Sequence, residues 1–185
     1  ATLYSRLTRA LVNLGMSYEI ILVDDGSQDQ SPEMLRKMEA EDHRIVIVEF
    51  ARNFGHQVAI SAGLEHSRGR AVCIMDADLQ DPPEVLHTFL AKWQEGWEVV
   101  YAVRTERKEW WGKRLAYAGF YRLLQRVANI EIPLDAGDFC VMDRKVVDLL
   151  VRMPERNRFV RGIRSWVGFK QIGVTYERQA RHAGT

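Results

Sequence analysis

The sequence has little of what marks several large protein classes. It contains only two cysteines, too few for a disulfide framework, and no Cys/His spacing typical of zinc. No stretch approaches the roughly 18 apolar residues that span a bilayer. No glycine-rich turn follows a predicted strand, which argues against a dinucleotide-binding dehydrogenase. Because Cys73 and Cys140 both lie in apolar, strand-like runs, we expect two buried free thiols.

The composition is that of an ordinary globular protein, and its 185 residues fit a single domain over residues 1–185. The formal net charge of +1 conceals a strong asymmetry. Residues 1–103 carry 9 basic and 16 acidic side chains, whereas residues 152–185 carry 8 basic and 2 acidic ones. This separation suits a site that holds a cation with one part of the chain and phosphates with another. Solvated helix faces of opposite sign would also produce it.

Apolar runs of strand length alternate along the chain with segments of helical periodicity. The predicted strands are 18–23, 44–50, 71–75, 98–103, 138–142 and 171–177. This alternation predicts an α/β fold with a doubly wound, mostly parallel sheet and helices on both faces. Ser31, Asp81 and Asp143 are expected to cap the helices that follow them, Asp81 in a capping-box arrangement with Glu84.

Two acidic motifs follow predicted strands, which is where open sheets of this class bind ligands. In the later motif, Asp76, Asp78 and Gln80 stand at alternate positions, and an extended backbone would place them on one side. Carboxylate and amide oxygens suit Mg²⁺ or Mn²⁺ and leave room for diphosphate oxygens and water. Helix capping is the alternative, but Asp81 is expected to supply that cap.

The earlier motif begins with Asp24 and Asp25 and continues through Gly26 and Ser27. A carboxylate at a strand end can accept hydrogen bonds from a nucleobase or from ribose hydroxyls. An ordinary Asx turn would use the same residues, so both interpretations stay open.

Taken together, the segments 24–29 (Asp-Asp-Gly-Ser-x-Asp) and 76–84 (Asp-Ala-Asp-Leu-Gln-Asp-Pro-Pro-Glu) resemble glycosyltransferase family 2, of the GT-A fold. Further segments resemble the polyprenyl-phosphate branch of that family, which includes bactoprenol glucosyltransferases and dolichol-phosphate mannose synthases. They are 120–124, 132–139, 142–145, 161–168 and 176–184. The resemblance extends over nearly the whole chain.

The resemblance implies inverting transfer of a sugar from a nucleotide-sugar to a polyprenyl phosphate, with UDP-glucose favoured and GDP-mannose as the alternative donor. It also implies a role for each matching residue. Nucleotide contacts would come from Asp24, Asp25, Asp76 and Ala77, and Mg²⁺ or Mn²⁺ would be held by Asp76, Asp78 and Gln80. Phosphates would be bound by Arg104, Lys113, Arg114, Arg178 and Arg181, and the catalytic groups would be Asp138, Arg104 and Arg114. For Asp138, the alternative is a carboxylate that only positions a helix or an arginine.

A predicted helix over 110–129 mixes aromatic and basic residues, among them Trp110 and Trp111. This mixture suits a helix at a membrane surface, and a core helix with a basic outer face would look the same. The resemblance implies work at the cytoplasmic face of the bacterial inner membrane, with self-association common among relatives. The family's first strand and its C-terminal membrane segment have no match in residues 1–185, so we expect a trimmed catalytic domain.

Other classes fit the sequence less well. A Mg²⁺-binding phosphorelay receiver domain also has acidic strand ends, but it needs a lysine after a later buried strand, and none is present. No RNA-binding signature accompanies the basic segments, so no nucleic-acid partner is expected. Processive polysaccharide synthases usually carry Gln-x-x-Arg-Trp, a run that this sequence lacks.

Overall fold

A computed structural model describes residues 2–104, 136–155 and 159–176 of the chain. The six strands are β1 (Ile20–Asp24), β2 (Ile45–Glu49), β3 (Ala71–Ile74), β4 (Val99–Arg104), β5 (Ala136–Asp143) and β6 (Gln171–Tyr176). The helices are α1 (Thr2–Asn13), α2 (Ser31–Glu41), α3 (His56–His66), α4 (Leu86–Gln94), α5 (Arg144–Arg152) and α6 (Val160–Trp166), with a 3-10 turn at Pro83–Val85 before α4. The predicted helix over 110–129 lies outside the described residues.

The strands form a parallel pair, β1–β2, and a four-stranded sheet in the order β3-β5-β4-β6. Strand β4 pairs parallel with β6, whereas β5 runs antiparallel to both β3 and β4. The predicted α/β fold with a mostly parallel sheet is therefore confirmed, with β5 as the exception. Because β5 is reversed, its first residues lie at the edge where β3 and β4 end, and this reversal brings Asp138 to that edge.

The two central strands of the four-stranded sheet, β4 and β5, are largely buried, and neighbouring residues of β4 face opposite sides. Val99 packs in a cluster with α3, α5 and α6, and Val100 packs in a second cluster with α4. Both valines are fully buried. A strand covered on both sides reads as a continuous apolar run, which is the pattern that β4 shows in the sequence.

One of the three predicted helix caps is confirmed. The Asp143 side chain accepts a hydrogen bond from the Lys145 N–H at the start of α5. The prediction for Ser31 is wrong, because Ser31 is already helical and Gln30 is the capping residue. The Asp29 carboxylate accepts the Ser31 N–H instead, which satisfies one of the free N–H groups of that helix end.

The capping box predicted for Asp81 is also wrong. The 3-10 turn begins at Pro83, after Pro82, and no side chain caps it. Asp81 is instead buried and accepts a hydrogen bond from the Tyr176 hydroxyl. The two prolines start the turn without a side-chain cap, which leaves the carboxylate available for this long-range contact.

The thiols differ in environment. Cys140 on the central strand β5 is buried as predicted, but Cys73 is exposed. Strand β3 lies at the edge of the four-stranded order, where apolar sequence does not guarantee cover. In the part of the chain that the structure describes, no helix is long and apolar enough to cross a membrane.

Candidate functional site

The acidic loop, residues 75–82, leaves β3 as a tight turn and not as the extended segment predicted from alternate spacing. Asp78 Oδ1 accepts the Gln80 N–H at 3.0 Å, which is an Asx turn. Leu79 between them has φ 62° and is buried. A non-glycine residue in the left-handed region is uncommon and persists where surrounding contacts fix it. The turn leaves Asp76, Asp78 and Gln80 partly accessible while Leu79 and Asp81 point into the protein.

Asp76 lies in an electrostatic environment that favours a cation. Burial raises the pKa of its carboxyl group, the negative charges of Asp81, Asp78 and Asp138 raise it further, and His56 acts in the opposite direction. A bound cation would relieve this repulsion between converging carboxylates. Hard oxygen donors of this kind fit Mg²⁺ or Mn²⁺.

The protein donors would not enclose an ion completely. Among the described residues, no group of three or more His, Cys, Asp or Glu side chains could hold a metal ion. The predicted donors are two carboxylates and one amide, and other positions would be filled by phosphate oxygens and water. Mg²⁺ is commonly held this way, through one or two carboxylates and substrate phosphates.

Asp138, near the start of β5, is held by an arginine and a histidine side chain. Its Oδ1 accepts the Nε–H of Arg161 at 3.2 Å, and its Oδ2 is 3.2 Å from the Nη2 of Arg161. His56 Nε2 lies 3.2 Å from the same Oδ2. Although burial opposes ionisation, the hydrogen bonds and charges of Arg161 and His56 hold the pKa of Asp138 below its ordinary value. Asp138 is therefore an ionised carboxylate with both oxygens engaged.

His56 stands between the acidic loop and Asp138. Its Nε2 is 3.9 Å from Asp76 Oδ1, in addition to its contact with Asp138. The residue is the first of α3, so the start of this helix directs its side chain to the sheet edge. Helix α6 is tied to the same place, because Gln57 Oε1 accepts the Val160 N–H at 2.9 Å.

The strand end of β1 forms a loop stabilised by its own carboxylates. Asp24 is buried and accepts both the N–H and the hydroxyl of Ser27, three residues further on, so its carboxylate is engaged within the loop. Asp25 accepts the N–H of Phe54 at 2.6 Å and that of Gly55 at 2.9 Å. These contacts fasten the loop to the segment that begins α3, and thereby help to place His56.

Gly26 is required by this close approach. It has φ 75°, and a Cβ added there would lie 2.5 Å from the backbone carbon of Arg52. Any other residue would force the two loops apart. The glycine therefore serves the loop packing that also involves Asp25.

The described structure brings together part of the predicted site. Asp76, Ala77, Asp78 and Gln80 share the acidic loop, and Asp138 is near it. Arg104 ends β4, paired in register with Tyr176, but its side chain is not described. Lys113, Arg114, Arg178 and Arg181 lie outside the described residues, so their roles stay predictions.

Two residues of the cluster were not identified from the sequence. Arg161 opens one of the segments that carry the family resemblance, and that position was the only signal for it. His56 follows Gly55 at a helix start, where nothing in the local pattern distinguishes it from a surface residue. Both are identified only by their contacts with Asp138, which is 23 residues from Arg161 and 82 residues from His56 in the sequence.

Residues 1–150 match the family model described as glycosyl transferase family 2. The chain is 52% identical, over 98% of its length, to an uncharacterized glycosyltransferase, YkcC, of Bacillus subtilis (strain 168), and covers 56% of that protein. It is 41% identical, over 90% of its length, to a prophage bactoprenol glucosyl transferase homolog of Escherichia coli (strain K12), and covers 55% of it. The chain thus spans a little over half the length of these curated relatives.

Among solved structures, the chain is similar to the mannosyltransferase PcManGT from Pyrobaculum calidifontis, in complex with GDP-Man and Mn²⁺. The TM-score is 0.60 at 19% identity, and the match covers 97% of this chain and 55% of that one. At this identity the likeness concerns the fold. The resemblance drawn from the motifs is confirmed: the chain belongs to glycosyl transferase family 2 and has the GT-A fold.

Proposed function

We propose that this chain forms the catalytic part of a metal-dependent, inverting glycosyltransferase that transfers a sugar, glucose from UDP-glucose in the first instance, to a polyprenyl phosphate. The observation that carries the proposal is the convergence of two different groups at one sheet edge. The cation-favouring carboxylates of the acidic loop lie on one side of His56, and the ionised Asp138 with Arg161 lies on the other. The bactoprenol glucosyl transferase relatives supply the acceptor class.

The donor side is assigned to the acidic loop. Asp76, Asp78 and Gln80 would hold Mg²⁺ or Mn²⁺ together with the diphosphate of the nucleotide-sugar. When bound, the ion neutralises the charge that develops on the departing β-phosphate. Asp24 and Asp25 are proposed as the nucleoside side of the site, Asp25 through the loop that it holds against α3.

The acceptor side is assigned to Asp138 and its two partners. A phosphate monoester is already anionic near neutral pH, so its oxygen can attack the anomeric carbon without a strong general base. The bond from that carbon to the β-phosphate oxygen breaks, and the nucleoside diphosphate leaves from the opposite side with inversion. Because both Asp138 oxygens are engaged, we assign Asp138 to orienting Arg161 and His56 toward the acceptor phosphate and not to removing a proton.

The remaining proposals concern Arg104, at the end of β4, and segments that lie outside the described residues. Phosphate contacts are proposed for four arginines and one lysine: Arg104, Lys113, Arg114, Arg178 and Arg181. A guanidinium group can bind two phosphate oxygens at once, and the lysine ammonium acts as a single positive charge. The helix predicted over 110–129 is proposed to lie against the cytoplasmic face of the inner membrane. Changing Trp110 and Trp111 to Ala should then reduce transfer to long-chain acceptors more than to short soluble ones. Equal losses would indicate a core role.

The experiment is a transfer assay with full-length protein, undecaprenyl phosphate and Mn²⁺, offering UDP-glucose, GDP-mannose or UDP-N-acetylglucosamine. We expect mass spectrometry to identify undecaprenyl phosphate-glucose from UDP-glucose, and none when EDTA replaces Mn²⁺. A product from GDP-mannose alone would replace glucose by mannose in the proposal. Hydrolysis of the donor without any lipid product would refute the polyprenyl-phosphate acceptor.

A further inference from the structure

Tyr176, the last residue of β6, contacts both sides of the candidate site. Its hydroxyl donates a hydrogen bond to Asp81, which is 2% exposed and closes the acidic loop. Its ring lies edge-on to the Phe139 ring, with centroids 5.9 Å apart. Phe139 directly follows Asp138 in β5, so one side chain touches the loop proposed to hold the metal and the strand that carries the acceptor-side carboxylate.

The acidic loop needs such an anchor. Leu79 holds a left-handed backbone conformation at φ 62°, which residues other than glycine rarely adopt. The Asx turn of Asp78 favours the bend from within the loop, but it does not fix the loop to the sheet. Asp81 supplies that attachment, because its partner Tyr176 belongs to a strand paired along its whole length with β4.

The burial of individual residues in the acidic loop indicates what the Tyr176–Asp81 hydrogen bond does for the site. Leu79 and Asp81 are buried, whereas Asp76, Asp78 and Gln80 are only partly so. The buried members hold the turn, and the others present their oxygens at the sheet edge. Burial raises the pKa of the Asp76 carboxyl group, and the negative charge of Asp81 raises it further. Asp81 therefore lies near enough to the site to act on it.

We propose that the Tyr176–Asp81 hydrogen bond is a positioning contact that holds the acidic loop in its metal-binding conformation and couples it to the end of β6. The proposal rests on the proposed function, since it takes the acidic loop as the metal and diphosphate site. Asp81 and Tyr176 are both buried, so both act through the position of Asp76 and Asp78.

The test measures the affinity of full-length protein for UDP by calorimetry, with Mn²⁺ and with EDTA. Tyr176→Phe keeps the ring and removes only the hydroxyl, and we expect Mn²⁺-dependent binding of UDP to weaken about tenfold. The matched control is Tyr4→Phe, because the Tyr4 hydroxyl also donates to an aspartate, Asp42, at 2.7 Å, outside the site. The control should bind UDP as the unmodified protein does, although both variants lower the melting temperature.

Variants of Asp81, which accepts the hydrogen bond from Tyr176, complete the design. Asp81→Ala should weaken binding at least as much as Tyr176→Phe, because it also removes a charge that acts on Asp76. Adding Tyr176→Phe to Asp81→Ala should weaken binding no further, and Asp81→Asn, which keeps an oxygen acceptor, should retain more of the affinity than Asp81→Ala. Asp81→Ala also carries the test if Tyr176→Phe does not melt cooperatively.

Several outcomes would overturn the proposal. These are an unchanged Mn²⁺-dependent affinity in either folded variant, additive losses in the double variant, or an equal loss in the Tyr4→Phe control. A failure of the unmodified protein to bind UDP with Mn²⁺ would instead remove the proposed function, and the positioning role with it.

Discussion

Replacing Arg161 by lysine tests whether the geometry around Asp138 matters for transfer or only its charge. The guanidinium reaches both Asp138 oxygens at 3.2 Å, which a single ammonium cannot reproduce. Loss of one hydrogen bond to a charged group costs about 1.5–3 kcal/mol. If that cost falls on the transition state, kcat should drop between about 10-fold and about 150-fold, since each 1.36 kcal/mol is a factor of ten. UDP affinity should stay within about twofold, because the acidic loop is untouched.

The matched control is Arg44→Lys. Arg44 grips Asp42 with the same two-nitrogen geometry, at 2.8 and 2.9 Å, and takes no part in the cluster around Asp138. The assay compares kcat and KM for undecaprenyl phosphate, the dissociation constant of UDP, and the melting temperature of each variant. A loss of stability in Arg161→Lys with normal kcat would reduce the Asp138–Arg161 pair to a structural contact. An equal drop of kcat in the control would refute the reasoning as well.

Three further perturbations address the metal site, pH and the core. Asp78→Asn should abolish the Mn²⁺-dependent part of UDP binding, and an affinity for UDP that is the same with and without Mn²⁺ in the unmodified protein would remove the metal assignment. Hydrogen bonds from Arg44 and then Tyr4 hold the pKa of Asp42 well below its ordinary value. A depressed folded-state pKa stabilises the protein above the unfolded-state pKa near 4, and this stability is lost as the pH falls below it. The melting temperature of Asp42→Asn should therefore depend less on pH than that of the unmodified protein below about pH 4, and parallel curves would contradict this. Phe89 is fully buried, and its ring centroid lies 4.8 Å from that of Phe139. Phe89→Ala should therefore lower the free energy of unfolding, measured in urea, by about 3–5 kcal/mol. A change below about 1 kcal/mol would show that the packing is not as described.

The positions of the strands followed from local pattern, and for a physical reason. A buried strand needs a short apolar run, and the run at 44–50 contains β2 (Ile45–Glu49) with one residue to spare at each end. Strand direction has no such signature, because the same side chains pack equally well in either sense. The reversal of β5 was therefore not predictable from periodicity.

The candidate site could be proposed from the sequence where its residues are contiguous. The residue types and spacing of Asp76, Asp78 and Gln80 indicate candidate metal ligands, although their backbone forms a turn and is not extended. His56 and Arg161 could not be found in this way, because their role depends on a third residue, Asp138, far along the chain. Asp81 was assigned to a local cap because a local partner was at hand in the sequence, yet its partner is Tyr176, 95 residues away.

The central place of β5 has a consequence for how the protein is made. In the described part of the chain, β3 pairs with β5 alone and β4 reaches β3 only through β5, although both precede it in the sequence. During synthesis these two apolar strands must wait for residues 136–143 to emerge before the gap between them closes. Until then each presents an unpaired edge, which is the geometry that recruits strands from other molecules. A chain that stops before Ala136 should therefore aggregate. In the complete chain, a chaperone should matter most after β4 has been synthesised and before β5 has emerged.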